Sequence, residues 1–177
     1  EPLLNYGHTH FGENKVQEAI LKWSNVKSNN ENLKLHLVGK LQTNKTKQAI
    51  KLFDYIHSLD SIKLANEISK QQKKLNKKPK LFIQINIGNE QQKSGINKNE
   101  LVDFYNLCKE LELDIVGLMC LPPLGGDSDK YFSEMKELNN KLNLKELSMG
   151  MSDDYLIALR HSSTFLRIGT KIFGVRS

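Results

Sequence analysis

Apolar residues recur along this chain in two alternating rhythms. In the first, short apolar runs end in glycine, asparagine, proline or aspartate, the mark of buried strands. These runs are His8–Glu13, Leu33–Val38, Tyr55–Leu59, Leu81–Ile87, Ile115–Leu121, Glu146–Met149 and Phe165–Phe173. In the second, apolar residues fall three and four apart, as one face of a helix requires. Val16, Ala19, Ile20 and Trp23 follow this spacing. So do Leu101, Phe104, Tyr105, Cys108 and Leu111, and again Phe132, Met135, Leu138 and Leu142. Each helix is expected to press this stripe onto a sheet and to leave its lysines and asparagines in water.

Strands alternating with helices predict an α/β fold with a parallel sheet. Seven strands are one short of the eight in a TIM-type (β/α)8 barrel. The opening stretch Glu1–Gly7 reads as the tail of a helix closed by a glycine. On this reading the chain begins inside the first βα unit, and the first barrel strand is expected to be missing from it. One domain over residues 1–177 is the expectation, with an open, doubly wound sheet of seven strands as the alternative.

Composition changes this picture little. Apolar residues are 38% and charged residues 26% of the chain, within the ordinary globular range. No apolar run approaches the roughly 20 residues of a membrane span. No basic segment followed by an apolar one opens the sequence, so neither export nor a membrane partner is expected. Cys108 and Cys120 fit no metal or redox spacing and read as small buried hydrophobes in a reducing cytoplasm. The net charge of +6 raises nucleic acid as a partner. The cations, however, are mainly lysines such as Lys70, Lys73, Lys74, Lys77 and Lys78, with few arginines and no interleaved aromatics. A solvated lysine surface explains them better.

Polar, glycine-bearing motifs fall where strands end, the working pole of such folds. They include Phe11-Gly12-Glu13-Asn14, Gly39–Lys45, His57–Ser61, Lys93-Ser94-Gly95, Ser148–Asp154 and Arg167-Ile168-Gly169-Thr170. Taken singly, Asn14, Asn44, Ser61 and Ser152 are best read as helix N-caps. The last two motifs would be the seventh and eighth units of a barrel, which commonly bind phosphate. Ser152 would offer a hydroxyl and the amides of the next turn, Gly169 a close backbone approach, and Thr170 a second hydroxyl. Asp153 and Asp154 would oppose an anion unless their carboxylates turn outward. No P-loop, dinucleotide fingerprint, zinc-protease motif or nucleophile elbow is present. His36, His57 and His161 look isolated and structural, and no triad or metal cluster emerges.

Taken in series, these motifs resemble the pyridoxal phosphate homeostasis protein family. The resemblance also rests on Gly117-Leu118-Met119, Leu147–Ser152 and the stretch from Arg167 to Gly174, and runs from about residue 7 to the end. It implies a barrel of the alanine racemase N-terminal-domain type that holds pyridoxal 5′-phosphate without a second domain. It further implies a cytoplasmic role in vitamin B6 and amino-acid homeostasis, a carrier or buffer and not an enzyme. Ser152, Gly169 and Thr170 match positions around the phosphate, and Arg167 matches the arginine beside the pyridine nitrogen. Asn14 and His36 match positions near the cofactor. The family's Schiff-base lysine lies in a Ser-Lys-Thr-like motif that would precede Glu1 and is absent here. Lys40, Lys45 and Lys93 belong to other loops and do not inherit its role. Ser162 stands where the family usually has glycine. A monomer with the cofactor as its partner is expected. A racemase-like enzyme and a basic nucleic-acid-binding module are the competing readings.

Overall fold

The computed structural model describes residues 2–174. Its elements run α1 (Pro2–Asn5), β1 (His10–Glu13), α2 (Val16–Ser28), β2 (Lys34–Leu37), α3 (Thr46–Leu52), β3 (Tyr55–Leu59) and α4 (Ile62–Leu75). They continue with β4 (Lys80–Ile85), α5 (Leu101–Glu110), β5 (Asp114–Cys120), α6 (Ser128–Lys141), β6 (Glu146–Met151), α7 (Tyr155–Arg160), β7 (Phe165–Arg167) and α8 (Thr170–Phe173). All neighbouring strands are parallel, and the sheet order is the chain order from β1 to β7.

One residue shows that this sheet is curled and not open. In a flat sheet the first and seventh strands would lie about 29 Å apart. Instead the Phe165 ring of β7 has its centroid 6.2 Å from that of His10 on β1. It also lies 5.4 Å from His36, 5.9 Å from His57 and 5.4 Å from Phe82, on β2, β3 and β4. A single side chain can meet four distant strands only from the axis of a nearly closed barrel. The open, doubly wound alternative is therefore overturned. Strands covered on both sides read as continuous apolar runs. β4 obeys this rule, with Leu81, Phe82, Ile83 and Ile85 all buried.

The helices form the outer layer through the stripes read from sequence. Val16, Ala19 and Trp23 of α2 are buried, as are Leu101, Phe104 and Cys108 of α5 and Phe132 and Met135 of α6. Glu13 at the end of β1 accepts hydrogen bonds from Trp23 Nε1 and Lys22 Nζ, pinning α2 to its strand. Asn139 departs from the expectation that asparagines stay outside. It is buried, and its amide donates to the Leu144 carbonyl beyond the helix end.

The strand limits agree with the hydrophobic pattern to within about two residues, except at the last. The run Phe165–Phe173 is a strand only to Arg167; Gly169 then opens the short helix α8. Gly169 and Thr170 thus lie beyond the strand, at a helix start. Capping was also over-read. Ser61 does cap α4, accepting from Leu64 N. The cap positions of α2 and α3 are Lys15 and Lys45, not Asn14 and Asn44, and α7 begins after Asp154, not Ser152. Gly7 ends the opening turn at φ +82, donating to the Leu4 carbonyl as a glycine terminator should.

Ser162, where the resembled family favours glycine, has φ +66. That left-handed conformation costs a side-chain-bearing residue about 1–2 kcal/mol. Glycine would relieve this strain but would gain freedom in the unfolded chain worth about 0.4–1 kcal/mol. Ser162→Gly is therefore expected to raise stability by between about 0 and about 1.6 kcal/mol in denaturant unfolding. A drop in stability would show that the serine makes a contact outweighing its strain.

Cys108 and Cys120 are buried and free, and burial pushes both thiols up to about 12, which leaves them protonated and inert at neutral pH. Among the described residues no helix is long and apolar enough to cross a membrane.

Candidate functional site

The polar residues of interest gather where β5, β6 and β7 meet. Gly150 lies in the register shift of the β6–β7 ladder, at φ +90, where a Cβ would strike the Ala158 methyl at 2.6 Å. Ser152, the first residue after β6, is buried. There its hydroxyl accepts from Lys171 N in the first turn of α8, over 3.4 Å. Ser152, Gly169 and Thr170 are thereby brought into one corner, although they come from two separate loops. A Cβ built on Gly169 would meet nothing within 4 Å, so the backbone there faces open space. One of the two acidic residues that follow Ser152 has its carboxylate engaged within the protein. Asp154 is bonded to the protein, accepting from Met151 N at 2.7 Å and from Ser128 Oγ at 3.3 Å.

Arg167 projects from the end of β7 into the barrel. Its Nη1 donates to Ser148 Oγ at 2.6 Å and its Nη2 to the Cys120 carbonyl at 2.7 Å. Its Nε is sealed from solvent and has no hydrogen-bond partner. Burial lowers the guanidinium pKa, an effect partly opposed by Cys120 and Asp154. A buried donor without an acceptor is costly, on the scale of about 1–3 kcal/mol, so this N–H marks where an acceptor belongs.

The histidines are not isolated, which corrects the sequence reading. His10 Nδ1 meets His36 Nε2 at 2.9 Å, and His36 Nδ1 meets His57 Nε2 at 2.9 Å. His57 Nδ1 then meets Ser148 Oγ at 2.8 Å, the same hydroxyl that Arg167 holds. Three consecutive strands thus carry a polar file through the barrel interior. Aromatic faces fix its rings: Tyr55 stacks on His36 and Phe82 on His57, each at 4.2 Å between centroids. Burial, reinforced by His10, pushes His36 down to about 3. Burial also lowers His57 well below the usual histidine value, helped by His36 and Arg167. Both rings are neutral at physiological pH.

The remaining candidates are placed differently. Asn14 is exposed on the bend after β1. Its backbone packs on Gly39, where a Cβ would fall 2.2 Å from the Asn14 carbonyl oxygen. No described hydrogen bond joins its side chain to the Ser152–Arg167 corner. His36 reaches that corner through His57 and Ser148. His161 is a surface residue whose Nε2 meets Asp129 at 3.0 Å. His10, Ser148 and the carbonyl of Cys120 carry site contacts that the sequence reading did not assign to them, although Ser148 lies in a motif it named. Polar side chains at inward positions of consecutive barrel strands were the available signal, since such positions are normally apolar. Lys93 stands across the mouth, donating to the Pro122 carbonyl at 3.2 Å and pairing with Glu90 at 2.6 Å. It lines a cleft of about 250 Å³ with Lys40, Gln84 and Asn86. Among the described residues no group of histidine, cysteine, aspartate and glutamate could hold a metal ion.

Known proteins share this architecture and much of this sequence. A protein of Pasteurella multocida named pyridoxal phosphate homeostasis protein is 39% identical over 96% of this chain and 78% of its own length. One of the same name from Aquifex aeolicus is 37% identical over 97% of this chain and 79% of its own. PipY of Synechococcus elongatus, solved with pyridoxal phosphate bound, superposes with a TM-score of 0.87 at 35% identity, covering 97% of this chain and 84% of its own. Alanine racemase of Clostridium difficile, 17% identical with a TM-score of 0.74, shares the fold. The family described as the alanine racemase N-terminal domain matches residues 1–177, and this chain belongs to it.

Proposed function

We propose that this protein binds pyridoxal 5′-phosphate and serves its homeostasis in the cytoplasm, as a carrier and not a catalyst. The observation that carries this reading is the buried, unpartnered Nε–H of Arg167. A pyridine nitrogen is an acceptor of the right kind for it, and the corner formed by Ser152, Gly169 and Thr170 suits the phosphate. The residues present therefore fit the cofactor. Relatives named for pyridoxal phosphate homeostasis, and a neighbour solved with the cofactor, support the same ligand.

When bound, pyridoxal phosphate supplies an electron sink that works best with its ring nitrogen protonated. Arg167 opposes that protonation. It is a cation held by Ser148 and the Cys120 carbonyl, and it has only donors to offer. A ring nitrogen accepting from Nε would stay neutral. Ser152 and the turn at Gly169 would anchor the phosphate, with the Thr170 hydroxyl at hand. Residues that grip the cofactor while keeping its ring neutral suit storage and delivery better than carbanion chemistry.

Equilibrium dialysis of pyridoxal phosphate against the intact protein tests this. Arg167→Met keeps much of the volume and removes every donor, and is expected to weaken binding by about tenfold or more. Equal affinity in wild type and variant would sink the assignment of Arg167. Racemisation of alanine at enzymatic rates by the intact protein would replace the carrier reading with a catalytic one.

A further inference from the structure

Four hydrogen bonds link Arg167 to His10, and their protons can be assigned. Arg167 has no acceptor, so Nη1 must donate to Ser148 Oγ. The only other described partner of that hydroxyl is His57 Nδ1. Were His57 to donate as well, the serine proton would have no acceptor and would be buried unsatisfied. Ser148 must therefore donate to His57 Nδ1, which leaves the proton of the neutral ring on Nε2. That Nε2–H then donates to His36 Nδ1, and His36 Nε2–H to His10 Nδ1.

We propose that His57, His36 and His10 are positioning residues that all carry their proton on Nε2, forming one chain of fixed direction from Arg167 to β1 that locks the guanidinium and fixes the direction of its Nε–H. Hydrogen bonds aligned head to tail strengthen one another. A serine that donates into such a chain is a better acceptor for the arginine behind it. The rings have little room to turn, being stacked on Tyr55 and Phe82 and met edge-on by Phe165 at 76° to His57. Burial keeps His36 and His57 neutral, the state in which each offers one donor and one acceptor. The consequence for ligand binding rests on the proposal that Arg167 faces pyridoxal phosphate, but the proton pattern itself does not.

The test begins without any cofactor, on intact protein labelled with ¹⁵N in its histidines. At neutral pH, His36 and His57 are expected to show an unprotonated, acceptor-type Nδ1 and a protonated Nε2. Ser148→Ala removes the donor at the head of the chain, so His57 should lose its single tautomer, and Ser148→Thr should restore it. An Nδ1–H form or a tautomer mixture in the wild type would overturn the chain, as would an unaltered His57 pattern in Ser148→Ala. Dialysis of pyridoxal phosphate then tests the positioning role. Ser148→Ala is expected to bind about tenfold more weakly, the scale of one lost charge-assisted hydrogen bond, with Ser148→Thr near wild type. Unchanged affinity in Ser148→Ala would overturn that role. A wild type that does not bind would refute the cofactor reading alone, because the tautomers are read in its absence.

Discussion

Acidification from about pH 6.5 toward 3 is expected to cost this barrel several kcal/mol of stability through its buried histidines. The folded protein holds His36 near 3, while the unfolded chain returns it to the ordinary 6.5. Below 6.5 the unfolded state therefore binds protons that the folded state refuses, and stability falls as pH falls. The contribution is fully present above 6.5 and is lost progressively down to the folded value. Each unit of depression is worth about 1.4 kcal/mol, so His36 alone removes a large part of a typical stability of about 5–15 kcal/mol. His57 acts in the same direction, and so does His10, lowered first by burial and then by His8 and Lys34. With His36 and His57 both refusing protons, the slope approaches about 2.7 kcal/mol per pH unit within the window. Urea unfolding at a series of pH values measures it directly. A stability that stays flat across the window would mean that these histidines accept protons in the fold, which the stacked, sealed geometry forbids.

Gly117→Ala is expected to be the most damaging small substitution in the sheet. A Cβ at this position would fall 2.0 Å from the Glu146 carbonyl oxygen and 2.6 Å from its carbon. Glu146 is the residue paired with Gly117 in the β5–β6 ladder, so the obstacle is backbone that cannot retreat without breaking that ladder. Overpacking usually costs about 1–3 kcal/mol, and a clash with paired backbone should reach or exceed the top of that range. Gly12→Ala is the matched control. Its Cβ would meet only Val38 methyls at 3.6 and 3.8 Å, ordinary contact, so a change within about 0.5 kcal/mol is expected. Thermal melts of the two variants decide the matter, and a Gly117→Ala protein melting with its Gly12→Ala counterpart would show that β5 and β6 can separate at no cost.

Much of the fold was legible because periodicity is a local property. The stripe of Val16, Ala19 and Trp23 and the buried run of β4 are written in neighbouring residues, and each predicted its element within a residue or two. The last strand was over-extended because Ile172 and Phe173 look strand-like in isolation, and yet they lie exposed on α8. Capping residues were over-called for a related reason. Asn14 and Asn44 have the side chains of caps, but whether a side chain folds back onto a helix depends on the path of the loop, which Gly39 fixes for Asn14 by close packing.

At the site the division is sharper. Ser152, Arg167, Gly169 and Thr170 were singled out by resemblance and by their place at strand ends. The file from His10 to Ser148 was not seen, since its members are separated by 26, 21 and 91 residues. By itself the sequence determined the alternation of strand and helix, the faces turned inward and the family to which the chain belongs, because each of these depends on residue type at short spacing. Only the tertiary structure decided that the sheet curls until Phe165 meets four strands, that three histidines touch, and that Arg167 is gripped at both Nη atoms and bare at Nε. Those facts are contacts between distant residues. Their energies come from burial and hydrogen-bond direction, which exist only once the barrel has closed around them.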